Sequence, residues 1–279
     1  MSVLITGISG FTGRYLAAEL AAHGAQATGL AADLTDAAAL TEEIARIRPT
    51  AVAHLAGIAF VAHGATNDFY RVNLLGTRNL LAALAESGCR PDCVLLASSA
   101  NIYGNAAGKL DETTPPRPAN DYAVSKLAME HMAWLWRERL PIVIARPFNY
   151  TGVGQSVEFL IPKIVAHFRE RRPEIELGNL DVWRDFSDVR VVAHIYRRLL
   201  EAAPTGCTLN LCSGKTRALR EIVDIAAAHT GHHLRIKVNP AFVRANEVKS
   251  LCGDNTRLQA ILGEFPMPPL EETLRWMLD

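Results

Sequence analysis

The reading starts at Ser2-Val3-Leu4-Ile5-Thr6-Gly7-Ile8-Ser9-Gly10-Phe11-Thr12-Gly13. An apolar run with strand character leads straight into G-x-x-G-x-x-G, and helical periodicity follows over Phe11–His23. Glycine at these places permits a tight turn. It also lets the backbone approach a pyrophosphate and packs helix closely against strand, and the helix N-terminus adds free N–H groups for the phosphates. Gly7, Gly10, Phe11, Thr12 and Gly13 are therefore the first candidate cofactor residues.

The same alternation continues outward. Strand character returns over Gln26–Ala31, Ala51–Leu55, Asp92–Ala97 and Ile142–Arg146. Helical periodicity covers Thr35–Arg48, Asn67–Ser87 and Tyr122–Arg139. Continuous apolar strands alternating with helices predict a parallel sheet covered on both faces, the doubly wound α/β class. After Pro147 the texture changes to glycine-rich loops and short runs, and Thr208–Leu211 has the character of a strand that rejoins the sheet. The expected organisation is a Rossmann-type dinucleotide-binding domain of residues 1–149 plus about 185–212. A smaller, interleaved C-terminal domain of about 150–184 and 213–279 takes the substrate.

Composition narrows the partners. Of 279 residues 49% are hydrophobic and 21% charged, which excludes a disordered chain. Lys plus Arg and Asp plus Glu number 29 each, so neither a nucleic-acid nor an anionic-membrane binder is expected. The five cysteines, Cys89, Cys93, Cys207, Cys212 and Cys252, form no C-x-x-C pair, so neither a disulfide framework nor a metal site is expected. No basic leader or long apolar span is evident, and a cytoplasmic location is expected.

Two further segments carry chemistry. Asn120-Asp121-Tyr122-Ala123-Val124-Ser125-Lys126 puts Tyr122 and Lys126 on one helix face, where an ammonium lowers a phenol's pKa and readies it for proton exchange. Leu95-Leu96-Ala97-Ser98-Ser99 runs a buried strand into two serines at the carboxyl end of the sheet, where doubly wound folds bind ligands.

Gly7–Gly13, Ser99, Tyr122 and Lys126 together resemble an extended short-chain dehydrogenase/reductase of the nucleotide-sugar epimerase/dehydratase group. His54-Leu55-Ala56-Gly57, Val72-Asn73-Leu74-Leu75-Gly76-Thr77 and Arg146-Pro147-Phe148-Asn149 match as well. The resemblance implies that Tyr122 exchanges the proton, Lys126 holds the nicotinamide ribose and Ser99 binds the reacting oxygen. It adds Asp33, Leu34, Leu55, Ala56, Gly57, Asn73 and Pro147 to the NAD or NADP contacts. Asp33 suits either a ribose 2′-OH or the adenine, no basic residue directly follows the second strand, and Arg14 is the candidate cation for a 2′-phosphate; both dinucleotides stay open. The resemblance also implies a homodimer built on the helices Asn67–Ser87 and Tyr122–Arg139, with Trp134 and Trp136 serving that interface or the core.

The second half is similar to the GDP-sugar branch of the group, the GDP-mannose 4,6-dehydratases and their partner reductases. Gly178–Phe186, Arg244-Ala245-Asn246-Glu247-Val248 with Gly253-Asp254, and Phe159–Lys163 carry that likeness. It implies substrate contacts from Asn149, Leu160, Lys163, Asn179, Arg184, Arg244 and Glu247, with arginine forks on the diphosphate and Glu247 on the ribose. A 4,6-dehydratase needs a carboxylate two residues after the catalytic serine. This chain has Asn101 there, and an amide is no base. The expected reaction is thus NAD(P)H-dependent reduction of the C4 ketone of a nucleotide-linked 4-keto-6-deoxyhexose, GDP-4-keto-6-deoxy-D-mannose to GDP-D-rhamnose being favoured. The rivals are a 4-epimerase with tightly held NAD, suggested by Ser99-Ala100-Asn101-Ile102-Tyr103-Gly104, and a non-enzymatic dinucleotide sensor.

Overall fold

Residues 1–59, 66–242 and 249–279 are described by a computed structural model. Strands β1 (Ser2–Thr6), β2 (Gln26–Gly29), β3 (Ala51–His54), β4 (Cys93–Ala97), β6 (Ile142–Pro147) and β10 (Cys207–Leu211) form one parallel sheet in the order β10-β6-β4-β3-β1-β2. The register sets Thr6 beside His54, His54 beside Leu96, Ala97 beside Ala145, and Pro147 beside Leu211. Five carboxyl ends thereby line one rim. The strands are apolar throughout because both faces are covered. On one face α1 (Phe11–Ala22) and α6 (Val189–Ala202) pack on Val3, Ile5, Leu95 and Val143. On the other, α2 (Ala37–Ile47), α3 (Thr77–Glu86) and α4 (Asp121–Trp134) cover Leu4, Val52, Val94 and Ile144. The parallel-sheet Rossmann class expected from the alternation is the class observed.

Three elements differ in extent from the sequence reading. The second strand stops at Gly29 instead of Ala31, because the N–H groups of Ala31 and Ala32 turn out of the sheet and donate to the Glu43 carboxylate of α2 at 2.7–3.2 Å. The helix expected over Asn67–Ser87 contains a π-helical stretch, Phe69–Gly76, ahead of α3; such wide turns are frequent at functional sites. The helix expected to reach Arg139 ends at Trp134, where turns tightened onto Met132 and Ala133 take over. Trp134 and Trp136 both pack against the core under that face.

A second, smaller sheet sits beyond the rim. It runs β11 (Thr216–Ala218), β9 (Trp183–Asp188), β13 (Ser250–Gly253), β5 (Gly108–Leu110), with β7 (Asn149–Thr151) also paired to β9. β8 (Glu174–Leu177) and β12 (Arg235–Val238) pair separately. Around them α5 (Leu160–Arg169), α7 (Leu219–Thr230) and α9 (Leu270–Leu278) bury their own core of Ile164, Phe168, Ile222 and Leu274. A short helix, α8 (Thr256–Leu262), packs Leu258 and Leu262 back on the main sheet.

Candidate active site

The glycines of the loop stand where a side chain would crowd the backbone. A Cβ on Gly13 would stand 2.2 Å from the Gly7 carbonyl oxygen and one on Gly10 3.1 Å from the same atom, while Gly7 has φ +73°. The loop opens α1 with Gly10 at its N-cap, no side chain capping the helix and no acidic residue in its first turn. Its first amides, and the positive end of the helix dipole, are left for an anion. That cradle fits a dinucleotide pyrophosphate. Phe11 stacks on Tyr150 at 6.1 Å, and the Thr12 hydroxyl meets the Tyr150 hydroxyl at 2.8 Å, so β7 fixes the helix start.

Beside the loop, a hydrogen-bond chain fixes the end of β3. Thr77 Oγ1 donates to the Asn73 carbonyl, so it accepts from His54 Nε2, and His54 Nδ1 accepts from Thr6 Oγ1. Thr6 Oγ1 in turn accepts from Ala56 N. Burial pulls the His54 pKa down to about 3, with the Lys126 charge acting the same way, which keeps the ring neutral as this chain requires. The Asn73 amide accepts from Ile58 N at 2.9 Å and donates to Ile58 O and Ser125 Oγ at 3.1 Å. Its polar atoms thus tie the segment after β3 to α4. Leu55, Ala56 and Gly57 lie on this segment, and a Cβ on Gly57 would meet Asn73 Oδ1 at 2.9 Å and Lys126 Nζ at 3.3 Å.

Ser99, Tyr122 and Lys126 come together at the carboxyl ends of β4 and β6, all buried. Ser99 Oγ accepts from both Asn101 N and Asn101 Nδ2 at 3.1 Å. Burial pushes the Tyr122 pKa up to about 12, against a hydrogen bond with Ser99 that lowers it. The sequence reading expects Lys126 to lower this phenol; in the structure burial raises it, and the opposing influence is the Ser99 hydrogen bond. Lys126 Nζ donates to the Ala97 carbonyl at 2.8 Å. Its own pKa falls to about 8 through burial, partly opposed by the charge of Glu130.

Glu130 was not singled out by sequence, although it stands one helical turn past Lys126. It is buried under the site, accepts from Ser98 Oγ at 2.5 Å, and holds Arg146 by two bonds of 2.6 and 2.9 Å. Arg146 Nη1 donates to the Tyr103 hydroxyl, which donates to Asn210 Oδ1. One ion pair thereby braces α4 and the ends of β4, β6 and β10. The periodic signal was the spacing Tyr122, Lys126, Glu130, three polar groups along one stripe of a helix.

The remaining candidates separate. Pro147 closes β6 on the rim. Leu34 is buried in the core beneath Gly76, and Asp33 is exposed, its carboxylate accepting from Thr35 N and Thr35 Oγ1 at 2.7 Å. Asn149 Nδ2 donates to the Asp185 carbonyl at 3.2 Å. Leu160 begins α5. Lys163 Nζ donates to Glu176 O at 2.8 Å and lies 4.7 Å from the Phe242 ring centre. Asn179 accepts from Asp181 N, and Arg184 Nη1 donates to the Trp183 carbonyl. Arg244 and Glu247 lie outside the described residues. The buried Asp185 carboxylate, also missed by sequence, accepts N–H groups of Ser213, Gly214 and Gly253 and so pins β9, β13 and the end of β10 together.

Comparison with known proteins agrees with this geometry. Residues 3–212 match the model of the NAD dependent epimerase/dehydratase family. The chain is 35% identical to GDP-6-deoxy-D-talose 4-dehydrogenase of Aggregatibacter actinomycetemcomitans, over 94% of this chain and 92% of that one. It is 35% identical to GDP-6-deoxy-D-mannose reductase of Pseudomonas aeruginosa, over 99% and 95%. The solved structure of RMD from Pseudomonas aeruginosa complexed with NADPH superposes with a TM-score of 0.90 at 34% identity, covering 99% of this chain and 96% of that one. A glycine cradle at an uncapped helix, a buried Tyr–Lys pair beside it, and a family match over three quarters of the sequence lead to one conclusion. The chain belongs to the NAD-dependent epimerase/dehydratase family and is an NAD(P)-dependent oxidoreductase.

Proposed function

We propose that the chain reduces the C4 ketone of a nucleotide-linked 4-keto-6-deoxyhexose, with GDP-4-keto-6-deoxy-D-mannose as substrate and GDP-D-rhamnose as product. This is GDP-6-deoxy-D-lyxo-4-hexulose reductase activity. The observation that carries the reading is Asn101: the position two residues past Ser99 holds a neutral amide that donates to Ser99, so the site has no carboxylate there to take a proton from C5. Hydride transfer plus one protonation remains. The two GDP-6-deoxyhexose relatives support the substrate class.

A reduced nicotinamide, when bound, would supply the hydride. The chain's own residues do the rest. Two Asn101 N–H groups fill the lone pairs of Ser99 Oγ, which leaves its proton to donate to the ketone oxygen. Tyr122, held protonated by burial, delivers its proton to that oxygen as the C=O group is reduced to CH–OH. Lys126, anchored on the Ala97 carbonyl, is the group for the nicotinamide ribose. Asn149, Leu160, Lys163, Asn179, Arg184, Arg244 and Glu247 are proposed as substrate contacts. The proposed division of labour gives residues 1–149 and about 185–212 to the dinucleotide, and about 150–184 and 213–279 to the sugar nucleotide.

We further propose a cytoplasmic homodimer. Leu75 and Val124, on the helices expected at its interface, are exposed apolar side chains, and among the described residues no helix is long and apolar enough to cross a membrane. Light scattering tests the dimer; a monomer refutes it.

The deciding experiment mixes purified protein with NADH or NADPH and GDP-4-keto-6-deoxy-D-mannose, and follows nicotinamide absorbance and the sugar product. Oxidation coupled to a new GDP-6-deoxyhexose is expected. Protein that carries bound NAD and consumes no added NADH would instead favour the 4-epimerase, a reading supported by the segment Ser99–Gly104.

A further inference from the structure

We propose that this chain selects NAD(H) over NADP(H), and that Glu43 is a specificity-determining residue for that choice. The inference rests on the chain's use of a nicotinamide dinucleotide and goes beyond it. In doubly wound folds the turn after the second strand reads the adenosine ribose, accepting a free 2′-hydroxyl with a carboxylate or a 2′-phosphate with an arginine. Here that turn touches the glycine loop: a Cβ on Gly29 would lie 2.6 Å from Ile8 Cγ2.

A 2′-phosphate needs N–H donors or cations at this turn. Two of the turn's own donors are already taken. Ala31 N and Ala32 N both point at the Glu43 carboxylate, at 3.1 and 2.7 Å, so a phosphate arriving there meets a carboxylate in place of two amides. Cations are missing as well. No lysine or arginine occurs between Arg14 and Arg46, a stretch that includes all of β2, the turn and most of α2. The arginines at its borders have other partners. Arg46 pairs with Glu43 itself at 3.4 Å, and Arg14 leans toward the Gly154 carbonyl at 3.4 Å, on the side of β7. Arg71, whose charge reaches Asp33, is held by Asp68 at 3.0 Å. Asp33, Asp36 and Glu42 add negative charge to the same segment. A ribose 2′-hydroxyl, by contrast, finds acceptors in plenty. The chain would thus differ from the relative whose structure holds NADPH.

The test is binding, read by nicotinamide fluorescence on the full chain without substrate. Wild-type protein is expected to bind NADH at least about tenfold more tightly than NADPH. Glu43→Gln, which keeps the shape and removes the charge, is expected to narrow that ratio. Ala31→Arg, at an exposed position, supplies the missing cation and is expected to narrow it further. NADPH binding as tightly as NADH in the wild type overturns the proposal. A ratio unchanged in Glu43→Gln but relaxed in Ala31→Arg overturns the role of Glu43 and leaves the missing cation as the cause. Failure of both dinucleotides to bind overturns the underlying cofactor reading, which separates that failure from loss of selectivity alone.

Discussion

Removing the charge of Glu130 is the most informative single perturbation of the site. Its carboxylate and the Arg146 guanidinium have side-chain exposures of only 4% and 9% and share two hydrogen bonds. Glu130→Gln leaves a buried guanidinium without a counter-ion and turns an amide N–H₂ toward its donors. Breaking a buried pair in this way costs about 3–5 kcal/mol. For a chain of this size 1 kcal/mol corresponds to about 2 °C, so the melting temperature should fall by about 6–10 °C. Arg146→Met should cost a similar amount, since it strands the carboxylate. The double variant should recover much of the loss, because neither charge is left alone, which appears in a double-mutant cycle as a coupling of about 2 kcal/mol or more. Urea denaturation of the four proteins measures it. Additive losses, or a Glu130→Gln loss below about 1 kcal/mol, would refute the claim that one ion pair braces the strand ends. A second readout is independent of stability. Glu130 raises the Lys126 pKa, so its removal should lower that pKa and shift the alkaline limit of cofactor binding to lower pH.

Other outcomes follow from the same geometry. Tyr122→Phe should lower kcat by about 10²–10⁴ while leaving the NADH Kd unchanged; equal turnover would end the proton-donor role. Cofactor affinity in the wild type should weaken as pH rises through about 8, where buried Lys126 loses its charge, and a titration flat from pH 7 to 10 would contradict this. Stability should fall as pH drops below the unfolded histidine value of about 6.5 toward the folded His54 value of about 3, because only the unfolded chain takes up the proton. Near pH 5.5 the loss from this group is about 1.4 kcal/mol, and His54→Asn should flatten that part of the urea-midpoint profile. Gly13→Ala should abolish NADH binding, since the added Cβ meets backbone atoms of Gly7 and Ile8 that have no room to yield.

Much of this was legible because it is local. The strand–glycine–helix start, the parallel strands and the Tyr122–Lys126 stripe are short-range patterns, and each appears where periodicity and glycine placed it. What escaped is long-range. The Tyr103–Asn210 hydrogen bond joins residues 107 apart, and the Asp185 cradle draws N–H groups from residues up to 68 positions away; no window of sequence contains both partners. Glu43 looked like one acid on an amphipathic helix, and only the fold shows that it caps the turn after β2. The π-helical stretch at Asn73 left no periodic signature either, since Phe69–Gly76 reads as ordinary helix. The phenol's direction of shift is not legible for a related reason: residue spacing reveals which charge is near, and it does not reveal how much water is gone.

The pairing of β5 with β13 has a consequence for synthesis. Gly108–Leu110 hydrogen-bonds to Leu251–Gly253, so a strand made early waits for one made near the end. On the ribosome the glycine cradle and the Tyr–Lys pair can assemble while the small sheet still has an open edge between β5 and β9. Closing that loop carries an entropic cost that local elements do not bear. The nascent protein should therefore pair the strands of its main sheet before those of its small one, and a chain stalled before residue 250 should expose unpaired strand edges to its neighbours.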